Sequence, residues 1–405
     1  MSFQTGLSGL NAASKSLDVI GNNIANANTV GMKSSRAEFA DLVASSIGSG
    51  GGGGSTAGIG VAVATVSQQF TQGNINITGN NLDVAINGGG FFQVTKTDGS
   101  TAFTRDGQFK LDKDGNIITN TGANVMGYTT DLLGAPTSIT PVKMTLPTGA
   151  PIAASATTTI TAEFNLDSRA AVAAVAVPPT PRTTYGTSLT AFDSQGAKVP
   201  VSLYFERVAS TTTDNWNVYD VPTGGAPLFQ MQFDAAGKLT SPAAPQALTI
   251  ATPSLITPSI AATLDVSKVT QFGSGFNVSN LTQNGYTSGE LTGITISPSG
   301  TITTRYSNGQ TQARGQISLA GFRNEQGLTP VGGGEYVETF TSGQPLQGNP
   351  GVGKFGSLRA GAVEESNVDL TAELVNMMTA QRAYQANAQT IKTQDQVMST
   401  LVNLR

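Results

Sequence analysis

The chain has 405 residues, of which 12% are charged, and its formal net charge is -4. Nothing in that balance points to nucleic acid as a partner. With no His and no Cys, the sequence excludes Ser-His-Asp and Cys-His nucleophile systems, imidazole or thiolate zinc sites, and disulfides.

The first predicted element is a helix. Alternating steps of four and three visit Phe3, Leu7, Leu10, Ser14, Leu17, Gly21, Ile24 and Asn28, which is an a/d seam. Val19 and Ile20 lie off it, and Gly31 is the expected stop. The stretch "LDVIGNNIANANTVGMK" from Leu17 to Lys33 is rich in Asn and almost free of charge. The opening residues have no basic n-region and no continuous apolar run, so no Sec signal peptide is expected. No segment approaches the roughly 20 apolar residues of a membrane span, so no membrane insertion is expected.

Gly48 to Gly60 reads "GSGGGGGSTAGIG". It has neither the Walker spacing with its Lys and Ser/Thr nor a G-x-G-x-x-G between strand and helix, so it is no phosphate-binding loop, and its composition is that of a flexible linker. From Val61 onward β signals dominate. Short apolar runs alternate with turns at Asp98-Gly99, Asp106-Gly107 and Asp114-Gly115. A D-x-x-G pattern recurs at Asp112, Asp193 and Asp234. It lacks EF-hand spacing and a downstream Glu in register, so it reads as turns and not as calcium sites. After about Pro147 the composition shifts to Thr, Ala and Pro. Near Gly285 the strand-and-turn pattern of residues 61–146 returns. An outer β domain inserted into an inner one follows from that order. The lone Trp216 is expected in a β core.

No set of residues reads as an active site. Asp83, Asp106, Glu335 and Glu338 are scattered, and Glu364 with Glu365 precede the last helix, where acidic residues suit the positive end of its dipole. That helix is expected from Asn367 to Arg405, with Ser366 and Asp369 as the capping signal. Its stepping visits Leu370, Leu374, Met377, Gln381, Tyr384, Ala388, Ile391, Asp395, Met398 and Val402. Val375, Met378, Val397, Leu401 and Leu404 lie off the seam. Two such helices have apolar stripes wider than one partner covers, so they are expected to complete their packing against other copies of the chain.

The expected fold is therefore multidomain, a terminal α-helical coiled coil plus mostly-β inner and outer domains. The helical ends take residues 1–44 and 365–405, the Gly-rich linker 45–60, the inner domain 61–146 and 285–364, and the outer domain 147–284.

Three segments carry a family resemblance. "SGLNAASKSLDVIGNNIANANTVGMKSS" resembles the N-terminal signature of the flagellar rod and hook axial proteins. "TGNNLDVAINGGGFFQV" with "FTRDGQFKLDKDGNIITNTGANVMGY" resembles their inner-domain signature, and "ESNVDLTAELVNMMTAQRAYQANAQTIKTQDQVMSTLVNLR" their C-terminal one. The motif residues carried over are Asn22, Asn23, Asn26, Gly31, Asp83, Gly90, Phe91 and Phe92. The insertion at 147–284 resembles the hook members of the family; distal rod subunits are shorter.

The resemblance implies a structural, non-enzymatic subunit without cofactors. It would self-assemble outside the cell into the curved hook that transmits torque from rod to filament as a universal joint. The implied partners are other copies in a homo-polymer, rod proteins, hook-filament junction proteins, a hook cap during assembly, and the type III flagellar export apparatus. The expected assembly interface is Phe3, Leu7, Leu10, Leu17, Ile20, Ile24, Leu370, Leu374, Met377, Met378, Tyr384, Ile391, Met398 and Leu401, with a hinge at Gly50, Gly52 and Gly54. The remaining alternatives are a distal rod subunit of the basal body and, in a different class, a secreted carbohydrate-binding or hydrolytic β protein.

Overall fold

A computed structural model describes residues 2–43, 58–147, 149, 151–173, 180–211, 213–252 and 257–403. The chain divides into two compact units, one of residues 1–149, 293–304 and 311–405, the other of 150–292 and 305–310.

In the first unit, helix α1 spans Ser2–Ala25 and helix α2 spans Leu370–Asn403. The 34 residues of α2 make a rod of about 50 Å at 1.5 Å per residue. Its N-cap is Asp369, whose Oδ1 accepts the N–H groups of Thr371 at 2.8 Å and Ala372 at 3.1 Å, satisfying two of the free donors of the first turn. Ser366 is not the cap; its hydroxyl accepts from Val368 N–H. Helix α1 ends six residues before Gly31. There Asn26 donates both its backbone N–H and its side-chain amide to the Asn22 carbonyl, at 3.1 and 3.0 Å.

Residues 35–43, expected to belong with the helical ends, are not helical. Strand β1, Ser35–Val43, pairs antiparallel with β2, Gly58–Gln68, in a register running from Ser35 opposite Gln68 to Val43 opposite Gly58.

The two halves of the chain then interleave strand by strand. Strand β3, Ile75–Ile77, pairs with 362–364, and β4, Val84–Asn87, pairs with 357–360. Strands β5, Phe91–Thr95, and β6, Thr101–Thr104, form a hairpin closed at Asp98-Gly99. Gly99 has φ +86°, a left-handed conformation that only Gly adopts freely. Asp106-Gly107 closes no hairpin. A Cβ on Gly107 would lie 1.7 Å from the Val84 carbonyl oxygen, so Gly is there because two backbones meet. The core beneath these strands includes Ile86, Phe92, Val125, Ile302, Ile317 and Leu358.

The second unit holds two five-stranded sheets. One is an antiparallel meander from Gly186 to Ser241. In the other, strand 159–167 pairs parallel with 260–265 and 270–272 and antiparallel with 277–283. In the strand Lys198–Val208, Val199, Val201, Leu203 and Phe205 point inward and their neighbours outward, the period-two pattern of a half-buried strand. Trp216 is fully buried in this core, edge-on to Tyr185 at 5.4 Å.

The D-x-x-G stretches are turns. In each, the Asp Oδ1 accepts two backbone N–H groups: Asp114 and Asn116 at Asp112, Gln195 and Ala197 at Asp193, Ala236 and Lys238 at Asp234. A fourth stands at Asp131, bonded by Leu133 and Ala135. These carboxylates spend their lone pairs on their own turns. Among the described residues no three His, Cys, Asp or Glu side chains gather as a metal site, and no helix is long and apolar enough to cross a membrane.

Candidate functional site

The helical ends join the β body through one buried ionic cluster. Lys33, just past α1, and Glu364, at the end of strand 362–364, are both fully buried, and the Lys33 ammonium donates to Glu364 Oε1 at 2.5 Å. The other oxygen of Glu364 accepts from the Arg105 guanidinium at 3.1 Å. Gly73 N–H donates to Oε1 at 2.9 Å, and Lys33 also reaches the Thr71 carbonyl at 2.7 Å. The Arg105 guanidinium lies 5.2 Å from the centre of the Phe91 ring, within the range of a cation–π contact. Burial pulls the Lys33 pKa below its ordinary 10.5, against the opposing pull of Glu364. Glu364 is thus a structural counter-ion shared by two cations, and its expected placement at the helix dipole is corrected: it lies six residues ahead of Leu370.

Gly31 seats this cluster. Its N–H donates to the Glu364 carbonyl at 2.8 Å, its φ is +70°, and a Cβ there would lie 2.5 Å from the Asp106 nitrogen. Gly31→Ala therefore adds both backbone strain and a clash with main chain. The expected cost is about 2–4 kcal/mol of monomer stability, read as a lower urea midpoint; an unchanged midpoint would refute the assignment.

Two asparagines tie the same region together. Asn23 is buried. Its amide exchanges two hydrogen bonds with the Ser35 backbone, at 2.8 and 2.9 Å, and donates a third to Glu373 Oε1 of α2 at 3.0 Å. Asn367 accepts from Ser34 N–H at 2.7 Å and donates to the carbonyls of Gln69 and Thr71. A short amide with both donor and acceptor satisfies buried main chain without adding charge. Asn22 and Asn26, by contrast, finish α1 at its C-terminal end.

The helix–helix seam differs from the one that hydrophobic spacing predicts. Helix α1 meets α2 through small residues: a Cβ on Gly6 would touch Ile391 at 3.1 Å, and one on Gly9 would touch the Asn387 amide at 2.9 Å. Ala13, Val19, Ile20 and Asn23 continue the buried side. Phe3 and Leu7, the expected seam, are exposed at 52% and 44%. Leu370, Leu374, Val375, Met378, Tyr384, Val397 and Met398 of α2 are exposed as well. Leu10, Leu17, Ile24, Met377 and Ile391 are half-buried. In α1 the roles are reversed, since Val19 and Ile20 pack inside the subunit while Phe3 and Leu7 face out; in α2 the seam residue Ile391 meets Gly6, and the off-seam Val375, Met378 and Val397 are exposed. Small residues win the seam because they let the two backbones approach. The side chain of Leu401, and Gly50, Gly52 and Gly54, lie outside the described residues.

The inner-domain motif is local architecture. Asp83 accepts from Thr78 at 2.6 Å and from the Asn80 amide at 3.2 Å, fixing the turn into β4. Gly90 has φ +111°, and its α-carbon faces Phe355. Phe91 and Phe92 are fully buried on opposite sides of β5: Phe91 packs edge-on with Phe70 at 5.5 Å, Phe92 with Phe109 at 5.0 Å.

Comparison with known proteins places four segments in families. Residues 3–33 match the family Flagella basal body rod protein, and 85–163 match Flagellar hook protein FlgE/F/G D1 domain. Residues 165–286 match Flagellar basal body protein FlaE D2 domain, and 359–404 match Flagellar basal body rod FlgEFG protein C-terminal. The Flagellar hook protein FlgE of Escherichia coli is 41% identical over 421 residues, covering 100% of both chains. That of Salmonella typhimurium is 40% identical over 431 residues, again covering both completely. The crystal structure of the Helicobacter pylori flagellar hook protein FlgE2 aligns with a TM-score of 0.52 at 15% identity, over 70% of this chain and 99% of that one; it supports the fold alone.

Proposed function

The chain belongs to the flagellar hook protein family, and from that premise we propose how it builds and bends the hook. It is a structural subunit of the external flagellum, and assembles into the hook with other flagellar components. In our reading the polymer is a curved tube that passes torque from rod to filament as a universal joint. Its partners are further copies, rod proteins, hook-filament junction proteins, a hook cap during growth, and the type III export apparatus. No catalytic step is assigned to it.

One observation carries this reading. The terminal helices meet each other through small residues and leave Phe3, Leu7, Leu374, Met378, Tyr384 and Met398 facing out. A helical pair with little charge and this much exposed apolar surface is poorly soluble alone and finds its partners in identical neighbours. The uncharged Asn and Gln faces offer hydrogen bonds without fixed charges to hold a passing chain. Purified protein at high ionic strength is expected to form tubes in electron micrographs; a chain that stays monomeric at every salt and protein concentration would overturn the proposal.

Bending requires neighbouring subunits to approach on the inside of the curve and separate on the outside. Compliance is assigned to residues 48–57 of the Gly tract, since Gly58–Gly60 begin β2, and to the paired crossings near 147 and 284. Shortening the tract is expected to change hook curvature while leaving monomer unfolding unchanged. Equal curvature in hooks of the two lengths would refute that role.

A further inference from the structure

The terminal helices carry a hole as well as knobs. A cleft of about 570 Å³ opens between α1, β1 and α2. Val19 and Ile20 contribute to it from α1, Ala37 from β1, and Thr379, Ala380 and Ala383 from α2. Val19, Ile20 and the three alanines form an apolar floor, and Arg36, Gln69 and Asn376 stand at its polar rim, a groove in which larger apolar side chains can seat. Glu373 also lines the cleft, and its Oε2 is buried with no hydrogen-bond partner among the described residues.

The complementary shape lies on the same helix. Leu370, Leu374 and Met378 follow at i, i+4 and i+8 and are 44%, 51% and 52% exposed. At 100° per residue this ridge is centred roughly 160° around α2 from the cleft-lining residues 373, 376, 379, 380 and 383. A ridge at four-residue spacing packs into a groove between ridges of another helix. Because ridge and groove lie on opposite sides of one element, a subunit cannot fill its own groove, and two subunits cannot satisfy each other symmetrically. Each must pass the ridge on to the next copy. That is a heterologous contact, the kind that generates an open helical polymer and not a closed dimer.

We propose that the cleft between α1, β1 and α2 receives the Leu370–Leu374–Met378 ridge of a second copy, and that this head-to-tail contact is a specific bond of the tube wall. The proposal rests on the hook-subunit reading and deepens it. The second copy is favoured as occupant because the ridge and the groove are both built into this chain and neither is covered within it.

The chain has no cysteine, so engineered thiols report single contacts. Thr379→Cys marks the cleft. Gln381→Cys marks the ridge face, one turn beyond Met378, without removing any apolar side chain. The two variants are polymerised separately and as an equimolar mixture, oxidised, dissociated and run on non-reducing gels. Disulfide dimers are expected from the mixed tubes and from neither single variant. Tubes that form without the mixed disulfide, or with equal cross-linking in the Thr379→Cys variant alone, would overturn the cleft contact and leave the hook-subunit reading intact. Failure of the wild-type chain to form tubes would overturn both. If either variant fails to enter tubes, Ala383→Phe decides. It fills the groove from an exposed position, so it should leave monomer unfolding intact and raise the critical concentration about tenfold or more, a change of about 1.4 kcal/mol or more in contact energy. An unchanged critical concentration would overturn the proposal.

Discussion

A chain reduced to residues 29–367, which keeps Gly31 and its bond to the Glu364 carbonyl, stays monomeric at concentrations where the full-length protein forms tubes, and it keeps a folded β core. The buried clusters of both units are built from residues between 70 and 360, so no helix residue is needed to fill them. Lys33, Arg105, Glu364 and Asn367 all remain, so the ionic cluster survives the cut. What is lost is the outward apolar surface. Burying one large aliphatic or aromatic side chain contributes about 1.5–3 kcal/mol. Losing even three such contacts per subunit raises the critical concentration by about a thousandfold or more. Sedimentation reports the polymer, and the lone, fully buried Trp216 reports the second unit through its emission. Tubes formed by the shortened chain would remove the helices from the mechanism.

The architecture is legible in the sequence because its signals are periodic. Lys198–Val208 alternates with period two and Leu370–Asn403 runs uninterrupted by Gly or Pro, and each folds as its pattern says. Large apolar residues mislead where small ones decide. Gly6, Gly9, Ala13, Ser16, Ile20 and Asn23 also step by three and four along α1, but a hydrophobic count gives such residues little weight and puts Phe3 and Leu7 on the seam instead. Strand β1 escapes a local reading because its partner β2 lies beyond the Gly tract. The ionic cluster cannot be found by spacing at all, because Lys33 and Glu364 are 331 positions apart. The one hint is a Lys at the end of a segment otherwise nearly free of charge. A cation there must either reach water or meet a buried acid, and nothing local says which. The turn at Asp131 repeats the D-x-x-G pattern, but Leu132 and Leu133 hide it among apolar neighbours.

Glu364→Gln carries the second large expectation. It keeps the shape of the side chain and removes the carboxylate bonded to both buried cations. Breaking a buried pair by neutralising one partner costs about 3–5 kcal/mol, because the remaining charge is left without a counter-ion. The loss should appear in the unfolding of the first unit, while Trp216 emission in the second is unmoved. Replacing all three groups at once, Lys33→Met, Arg105→Met and Glu364→Leu, should recover most of it, because no charge then stays buried in the cluster. The dependence on pH separates charge from packing. Burial already holds the Lys33 pKa below 10.5, so over the window beneath 10.5 the unfolded chain binds more protons than the folded one. Stability then rises with pH through that window. Without Glu364 the opposing pull is gone and the slope steepens, so the gap between variant and wild type should narrow as pH approaches 10.5. A gap that is constant with pH would mean that lost packing, and not an uncompensated ammonium, sets the cost, and the cluster would then be no electrostatic anchor.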